Sequence, residues 1–207
     1  MQIAVDDMRV YGSLTLWSVP LSGGVRTPLQ QGGPTVESNA IALYGDSVYV
    51  AAGPLGVSGV VSLPKTGGMP TVLVQHRAHP GAVAVDGTGI YWSEYPYLSQ
   101  NGGIFRAALD GSGVTQLAPD QDATGIAIDA DDVYWSAGAT GTILAMPKSG
   151  GDVTTLATGL AGPTGIVEQG GNVYWAEQPP QDASSGSPAS DAGNTPASGA
   201  TVMTVCK

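Results

Sequence analysis

The chain has 207 residues, room for one domain with a sizeable core. Its 31 glycines and 15 prolines beside one phenylalanine argue for short strands and many turns rather than helices. Seven basic against seventeen acidic residues leave a net charge of −10, and no Lys/Arg cluster is present to displace counterions, which sets aside nucleic acid and anionic membranes as partners. No apolar run approaches the ~18 residues of a membrane-spanning helix, and the lone Cys206 forms no internal disulfide, so the redox compartment stays open.

Met1 is succeeded at once by the strand-like Gln2-Ile3-Ala4-Val5-Asp6, with no signal peptide in this chain. From there to its end the chain is built on a repeat. Val10-Tyr11, Val48-Tyr49, Ile90-Tyr91-Trp92, Val133-Tyr134-Trp135 and Val173-Tyr174-Trp175 align, and their tyrosines stand 38, 42, 43 and 40 residues apart, the period of propeller blades. The copies cover about 1–30, 39–75, 80–118, 123–159 and 162–207.

The fourth copy shows the unit most clearly, with strand candidates Gly125–Ile128, Val133–Ala137, Thr142–Met146 and Val153–Ala157 separated by Gly, Asp and Ser clusters. The first strand is apolar throughout, as a strand covered on both faces should be. Its middle residue is small, Ala4, Ala42, Ala84 and Ala127, with Val167 in the fifth copy, which suits strands crowded around an axis. The turn between strands three and four carries Gly23-Gly24, Gly67-Gly68, Gly111-Ser112 and Gly150-Gly151. The turn between strands one and two carries Asp6, Asp86 and Asp129, a series that Tyr44 and Gln169 interrupt. Asx-turns account for these aspartates better than a ladder of calcium sites does.

A meander places its 1–2 and 3–4 turns at one end and its 2–3 and 4–1 connections at the other. The short glycine turns therefore share one face, and length variation collects on the opposite, long-loop face. The third copy lengthens its 2–3 loop with Glu94-Tyr95-Pro96-Tyr97-Leu98-Ser99-Gln100. The fifth lengthens the same loop through 179–200, a Pro/Ser/Ala/Gly-rich stretch without aromatics that is expected to be disordered. Val202–Lys207 then matches Ile143–Lys148, and the chain is read as a fragment cut inside a blade.

Tyr91-Trp92-Ser93-Glu94, Tyr134-Trp135-Ser136-Ala137 and Tyr174-Trp175-Ala176-Glu177, together with Gly103-Ile104-Phe105-Arg106-Ala107-Ala108-Leu109-Asp110-Gly111-Ser112, resemble the YWTD repeat of low-density-lipoprotein-receptor type β-propellers. Only the third copy has both halves of that motif, the first two lack the Trp, and the Asp position holds Glu or Ala. The units are also similar to NHL and virginiamycin B lyase-type propellers. The resemblance implies a six-bladed propeller. The fold class is therefore an all-β propeller of four-stranded antiparallel blades, here an incomplete set of four blades and part of a fifth. A set lacking its closing blade is expected to expose sheet faces and strand edges and to associate.

Chemistry is sparse. The two histidines sit in Gln75-His76-Arg77-Ala78-His79-Pro80, a 4–1 connection on the long-loop face, and no other copy supplies a third ligand, so no metal site and no cofactor are assigned. Ser93 and Ser136 have no recurring histidine to serve as a base, Cys206 fills the slot of Pro20, Pro64 and Pro147, and no catalytic residue is assigned. The strand-two Tyr and Trp are read as packing between blades. The leading expectation is a non-enzymatic module that binds a protein or small ligand through His76, Arg77, His79, Glu94, Tyr95 and Tyr97, in an extracytoplasmic bacterial protein. The alternative is a metal-dependent lyase or hydrolase whose remaining ligands lie outside these residues.

Overall fold

The computed structural model describes residues 2–53, 56–95, 102–119, 121–177 and 201–206. The stretch 179–200, expected to be disordered, and Tyr97, expected at the binding surface, fall outside the described residues. All nineteen described elements are strands, and among the described residues no helix is long and apolar enough to cross a membrane.

Five meanders succeed one another along the chain. Blade 1 comprises β1 (Ile3–Val5), β2 (Arg9–Gly12), β3 (Trp17–Pro20) and β4 (Thr27–Pro28). Blade 2 comprises β5 (Ser38–Tyr44), β6 (Ser47–Ala52), β7 (Gly59–Pro64) and β8 (Thr71–Gln75). Blade 3 comprises β9 (Pro80–Asp86), β10 (Gly89–Glu94), β11 (Gly103–Ala107) and β12 (Thr115–Pro119). Blade 4 comprises β13 (Ala123–Ile128), β14 (Asp132–Ala137), β15 (Thr142–Pro147) and β16 (Thr154–Ala157). Blade 5 is described with three strands, β17 (Thr164–Gln169), β18 (Asn172–Glu177) and β19 (Thr201–Cys206).

One register runs through all five. The small middle residue of the first strand lies opposite the strand-two tyrosine: Ala4 and Tyr11, Ala42 and Tyr49, Ala84 and Tyr91, Ala127 and Tyr134, Val167 and Tyr174. The first strands β1, β5, β9, β13 and β17 neighbour one another in that order around a common axis. The sheets stand radially, as blades of a propeller.

The hydrophobic core is divided between neighbouring blades, because alternate residues of each strand face opposite ways. The tyrosine of blades 1–4 joins the cluster shared with the following blade, and the tryptophan of blades 3–5 joins the one shared with the preceding blade. Tyr91 packs with Ile126, Trp135 and Met146, and Tyr134 packs with Ile166, Val173 and Trp175. Between blades 2 and 3, Tyr49 meets Ile90, Trp92 and Phe105. Trp92 and Trp135 are fully buried, each contributing on the order of 2–3 kcal/mol of apolar transfer.

Blade 1 lacks this tryptophan, carrying Gly12 in its place, yet the space is filled. The ring of Trp17, the cross-strand partner of Gly12, lies where a Cβ on residue 12 would meet it at 2.2 Å, and Arg26 stacks on that ring at 3.9 Å. The outward flank of blade 1 is open: Ile3 and Val5 are exposed, as is Val167 on the outward flank of blade 5.

The 1–2 turns are Asx-turns. Asp6 accepts from the Met8 and Arg9 amides, Asp86 from Thr88, and Asp129 from Asp131 and Asp132. Two of these carboxylates also accept a strand-two phenol, Tyr11 to Asp6 at 3.0 Å and Tyr134 to Asp129 at 2.8 Å.

Candidate functional site on the long-loop face

The first strands begin at the long-loop face, and there the axis opens into a recess of about 300 Å³ lined by residues of all five blades. Its rim is built by bulges. In blades 2, 4 and 5 the pairing of strands one and two slips by one residue at Asn39, Thr124 and Gly165, and in blade 3 the slip falls within Pro80–Val83. The extra residue is aimed sideways, onto the next blade. Asn39 donates to the Pro80 carbonyl at 2.8 Å, and Thr124 donates to the Pro163 carbonyl at 2.9 Å.

Buried serines brace the start of the first strand, at the bulges of blades 3 and 4 and at the unbulged start of blade 1. The Ser93 hydroxyl accepts from the Ala82 amide at 3.0 Å, the Ser136 hydroxyl meets Thr124 Oγ1 at 3.0 Å, and Ser13 accepts from the Gln2 amide at 2.7 Å. Ser93 and Ser136, which come after the strand-two tryptophans, therefore hold the bulges in place. The recess itself presents amides, hydroxyls and glycine backbone from Gln2, Asn39, Gly81, Thr124 and Gly165 above apolar Ile126 and Ile166. A second opening along the same axis, about 600 Å³, is lined by Ala4, Ala42, Val85, Ile128 and Glu168 among others.

At blade 3 the rim residue is Gly81, and a neighbour covers it. The Tyr95 ring lies 2.6 Å from where a Cβ on residue 81 would sit, so any side chain there would have to displace the ring. Burial, and then the nearby Asp122 charge, push the Tyr95 phenol above its ordinary range. Tyr95 donates its amide to the His79 carbonyl at 3.2 Å, which ties the aromatic to the histidine connection.

That connection is held from beneath by Glu94. Its carboxylate is 3% exposed and accepts from Trp92 Nε1 at 2.6 Å, Arg77 Nε at 2.6 Å and the Ala78 amide at 3.2 Å. Arg77 stacks on Phe105 at 4.5 Å and donates its amide to the Ser58 carbonyl at 3.1 Å, while the Ser58 hydroxyl donates to the Arg77 carbonyl at 2.6 Å. With its centre fixed, the turn holds His76 at φ 60° and His79 at φ 42°, left-handed conformations that cost a non-glycine residue about 1–2 kcal/mol each. His76 is exposed and His79 half-buried.

Of the expected binding residues, His76, Arg77, His79, Glu94 and Tyr95 come together. Glu94 lies inside, fixing the turn, while His76 faces solvent and Tyr95 lies half-buried at the recess. Glu177 repeats the role of Glu94 in blade 5, accepting from Trp175 Nε1 at 3.3 Å and the Ala161 amide at 3.1 Å. In blade 4, where Ala137 takes the acidic position, Gln121 receives the Trp135 indole at 3.2 Å. Among the described residues no three His, Cys, Asp or Glu side chains converge on a point where a metal ion would sit.

The rim residues Asn39, Thr124 and Gly165 and the bulges that place them were not identified from sequence. The recurring Pro-Gly and Pro-Thr-Gly at 80–81 and 163–165 is the signal that could have marked them.

Comparison with solved structures returns propellers. A chain of a nidogen–laminin complex matches with a TM-score of 0.70 and 22% identity over 84% of this chain and 70% of that one. A TolB-type protein of Agrobacterium tumefaciens matches with a TM-score of 0.67 and 17% identity over 83% of this chain and 66% of that one. Streptogramin B lyase matches with a TM-score of 0.65 and 15% identity, over 84% of this chain and 60% of the lyase. At these identities the likeness is one of fold. No protein-family model matches the sequence, and no curated protein does.

Proposed function

We propose that these residues belong to a six-bladed propeller that binds a protein or a small ligand on its long-loop face, as a non-enzymatic module of an extracytoplasmic bacterial protein. The observation that carries this proposal is the clamped His76–His79 turn beside the axial recess. Glu94 and Ser58 fix its backbone and two left-handed residues shape it. Two residues beyond His79, Gly81 lines the recess with the Tyr95 ring against it, and the recess carries the uncharged polar side chains of Gln2, Asn39 and Thr124. Rigid scaffolds that present such loops are the usual basis of recognition surfaces. The nidogen neighbour, known from its complex with laminin, supports binding as a use of the fold.

A phage-displayed peptide library selected against the chain supplies the probe. Tyr95→Ala with Tyr97→Ala, and separately His76→Ala, should weaken the selected peptides at least 10-fold, about 1.4 kcal/mol, while thermal unfolding stays within a few degrees. Unchanged binding in all of these variants would defeat the assignment.

The histidine pair and the streptogramin B lyase neighbour favour the second reading, a metal-dependent lyase or hydrolase. Zinc or manganese retained stoichiometrically after dialysis, and lost in His76→Ala, would move the conclusion to that class.

A further inference from the structure

The aspartates of the 1–2 turns have partners that the broken series in the sequence conceals. Lys65, at the 3–4 turn of blade 2, pairs with Asp6 of blade 1 at 3.1 Å. Lys148, at the same turn of blade 4, pairs with Asp86 of blade 3, donates to the Asp129 carbonyl, and stands 5.2 Å above the Tyr91 ring. Each latch therefore joins the first turn of one blade to the third-to-fourth turn of the next. Where blade 2 carries Tyr44 instead of aspartate, blade 3 carries Leu109 instead of lysine, and Leu109 packs against the apolar cluster between those blades. The two positions change together, charge with charge and apolar with apolar. Lys207, outside the described residues, comes after Cys206 as Lys65 comes after Pro64 and stands in sequence for blade 4's Asp129.

Blade 1 has Leu21 at this position, and Leu21 is 52% exposed. The rest of that flank is open as well. Ile3 is 55% exposed, whereas its equivalents Ile41, Val83, Ile126 and Ile166 are 3%, 4%, 8% and 6% exposed. At every internal interface such a flank is covered by the tyrosine-bearing flank of the preceding blade.

We propose that the outward flank of blade 1 docks one further four-stranded sheet of this same repeat, tyrosine flank inward, and that the turn residues select it. The sheet it accepts carries an apolar or aromatic residue in its 1–2 turn, matched to Leu21 as Tyr44 is matched in position to Leu109, and not the aspartate that Lys65 and Lys148 take. This rests on the six-bladed reading and adds to it which blade closes the ring. An aspartate turned toward Leu21 would lose water without gaining a cation, and such uncompensated burial disfavours the wrong neighbour.

The chain can be extended past Lys207 by a copy of 149–159, to pair along the open edge of β19, and then by a copy of either 36–75 or 121–159. The first copy carries the Tyr44 turn and the second the Asp129 turn. In the first, amide exchange at Ile3, Val5 and Val10 should slow by roughly 100-fold. In the second it should slow by at least 10-fold less, and L21K should reverse that order by giving the aspartate its lysine. Exchange unchanged in both extended chains would overturn the docking and the six-bladed reading with it. Equal slowing in both, or L21K without effect on their order, would overturn the selection rule and leave closure standing.

Discussion

Removing Asp86 tests whether the blade 3–blade 4 latch is energetic or merely adjacent. Lys148 has a side chain only 8% exposed, and its ammonium has three neighbours: the Asp86 carboxylate, the Asp129 carbonyl and the Tyr91 ring. Asp86→Ala leaves that ammonium buried with a carbonyl and a ring face. Stranding one member of a buried pair costs about 3–5 kcal/mol, and since Asp86 is 29% exposed the lower end applies, about 3 kcal/mol. Lys148→Met acts differently, because Asp86 keeps its Thr88 hydrogen bonds and reaches water, so the loss is about 1 kcal/mol or less. The double variant strands neither charge and should sit near the Lys148→Met value, so that the second substitution restores about 2 kcal/mol. In thermal unfolding monitored by circular dichroism, Asp86→Ala should lower Tm by about 6–12 °C, and adding Lys148→Met should return roughly 4–8 °C. A loss below about 1 kcal/mol for Asp86→Ala, or strict additivity of the two, would refute the account of the latch.

Three further outcomes are expected from the same geometry. At Asp6 and Asp86 burial alone would raise the carboxyl, but at Asp6 the turn amides and Lys65, and at Asp86 Lys148 and Thr88, outweigh it, holding both below the ordinary 3.8. Their contribution is complete above about pH 5 and is lost as pH falls through the lowered values, so Asp6→Asn should flatten the acid limb of a urea-stability profile. Tyr11 is pushed up to about 12 by burial and by Asp6. Stability should therefore fall as pH rises from about 10 toward 12, and Tyr11→Phe should lessen that fall, with Tyr49 and Tyr95, also raised by burial, supplying the rest. Glu94→Ala leaves the Trp92 indole, the Arg77 guanidinium and the Ala78 amide without their acceptor, for about 3–5 kcal/mol, and amide exchange at Arg77 and Ala78 should quicken.

The architecture was legible because each blade buries the same positions. A tyrosine recurring about every 40 residues opposite a small first-strand residue fixes strand order, face and axis together. The Asx-turns were legible too, since an aspartate binding its own turn amides depends on nothing distant. The features hidden from the sequence depend on contacts between copies or across strands. The Asp–Lys latches join residues 59 and 62 apart, and the break in the aspartate series at Tyr44 of blade 2 matches Leu109 in the lysine position of blade 3. Trp17 over Gly12 was hidden for a related reason, because a missing strand-two tryptophan says nothing about which cross-strand partner takes its place. At the site, residue types on one loop face pointed to the right neighbourhood, but not to Glu94 lying beneath the turn and His76 outside it.

Uneven latching has a consequence for where the ring gives way. The blade 1–blade 2 and blade 3–blade 4 interfaces each carry an ion pair on the turn face, while the blade 2–blade 3 interface carries Tyr44, exposed, and Leu109. In a repeat array, stability is a sum of blade and neighbour terms, so the interface lacking the charged pair is expected to open first. The His76–His79 connection crosses that same interface. Its clamp bridges that seam, Arg77 reaching Glu94 of blade 3 through its side chain and Ser58 of blade 2 through its backbone, so the turn loses one of these two partners when the seam opens. Hydrogen exchange in low urea should show amides at Tyr49 and Val83 opening before those at Tyr91 and Ile126, with Tyr44→Asp plus Leu109→Lys delaying the first pair by about 10-fold. If both interfaces open together, or if the installed pair changes nothing, the latches do not set the order in which the blades separate.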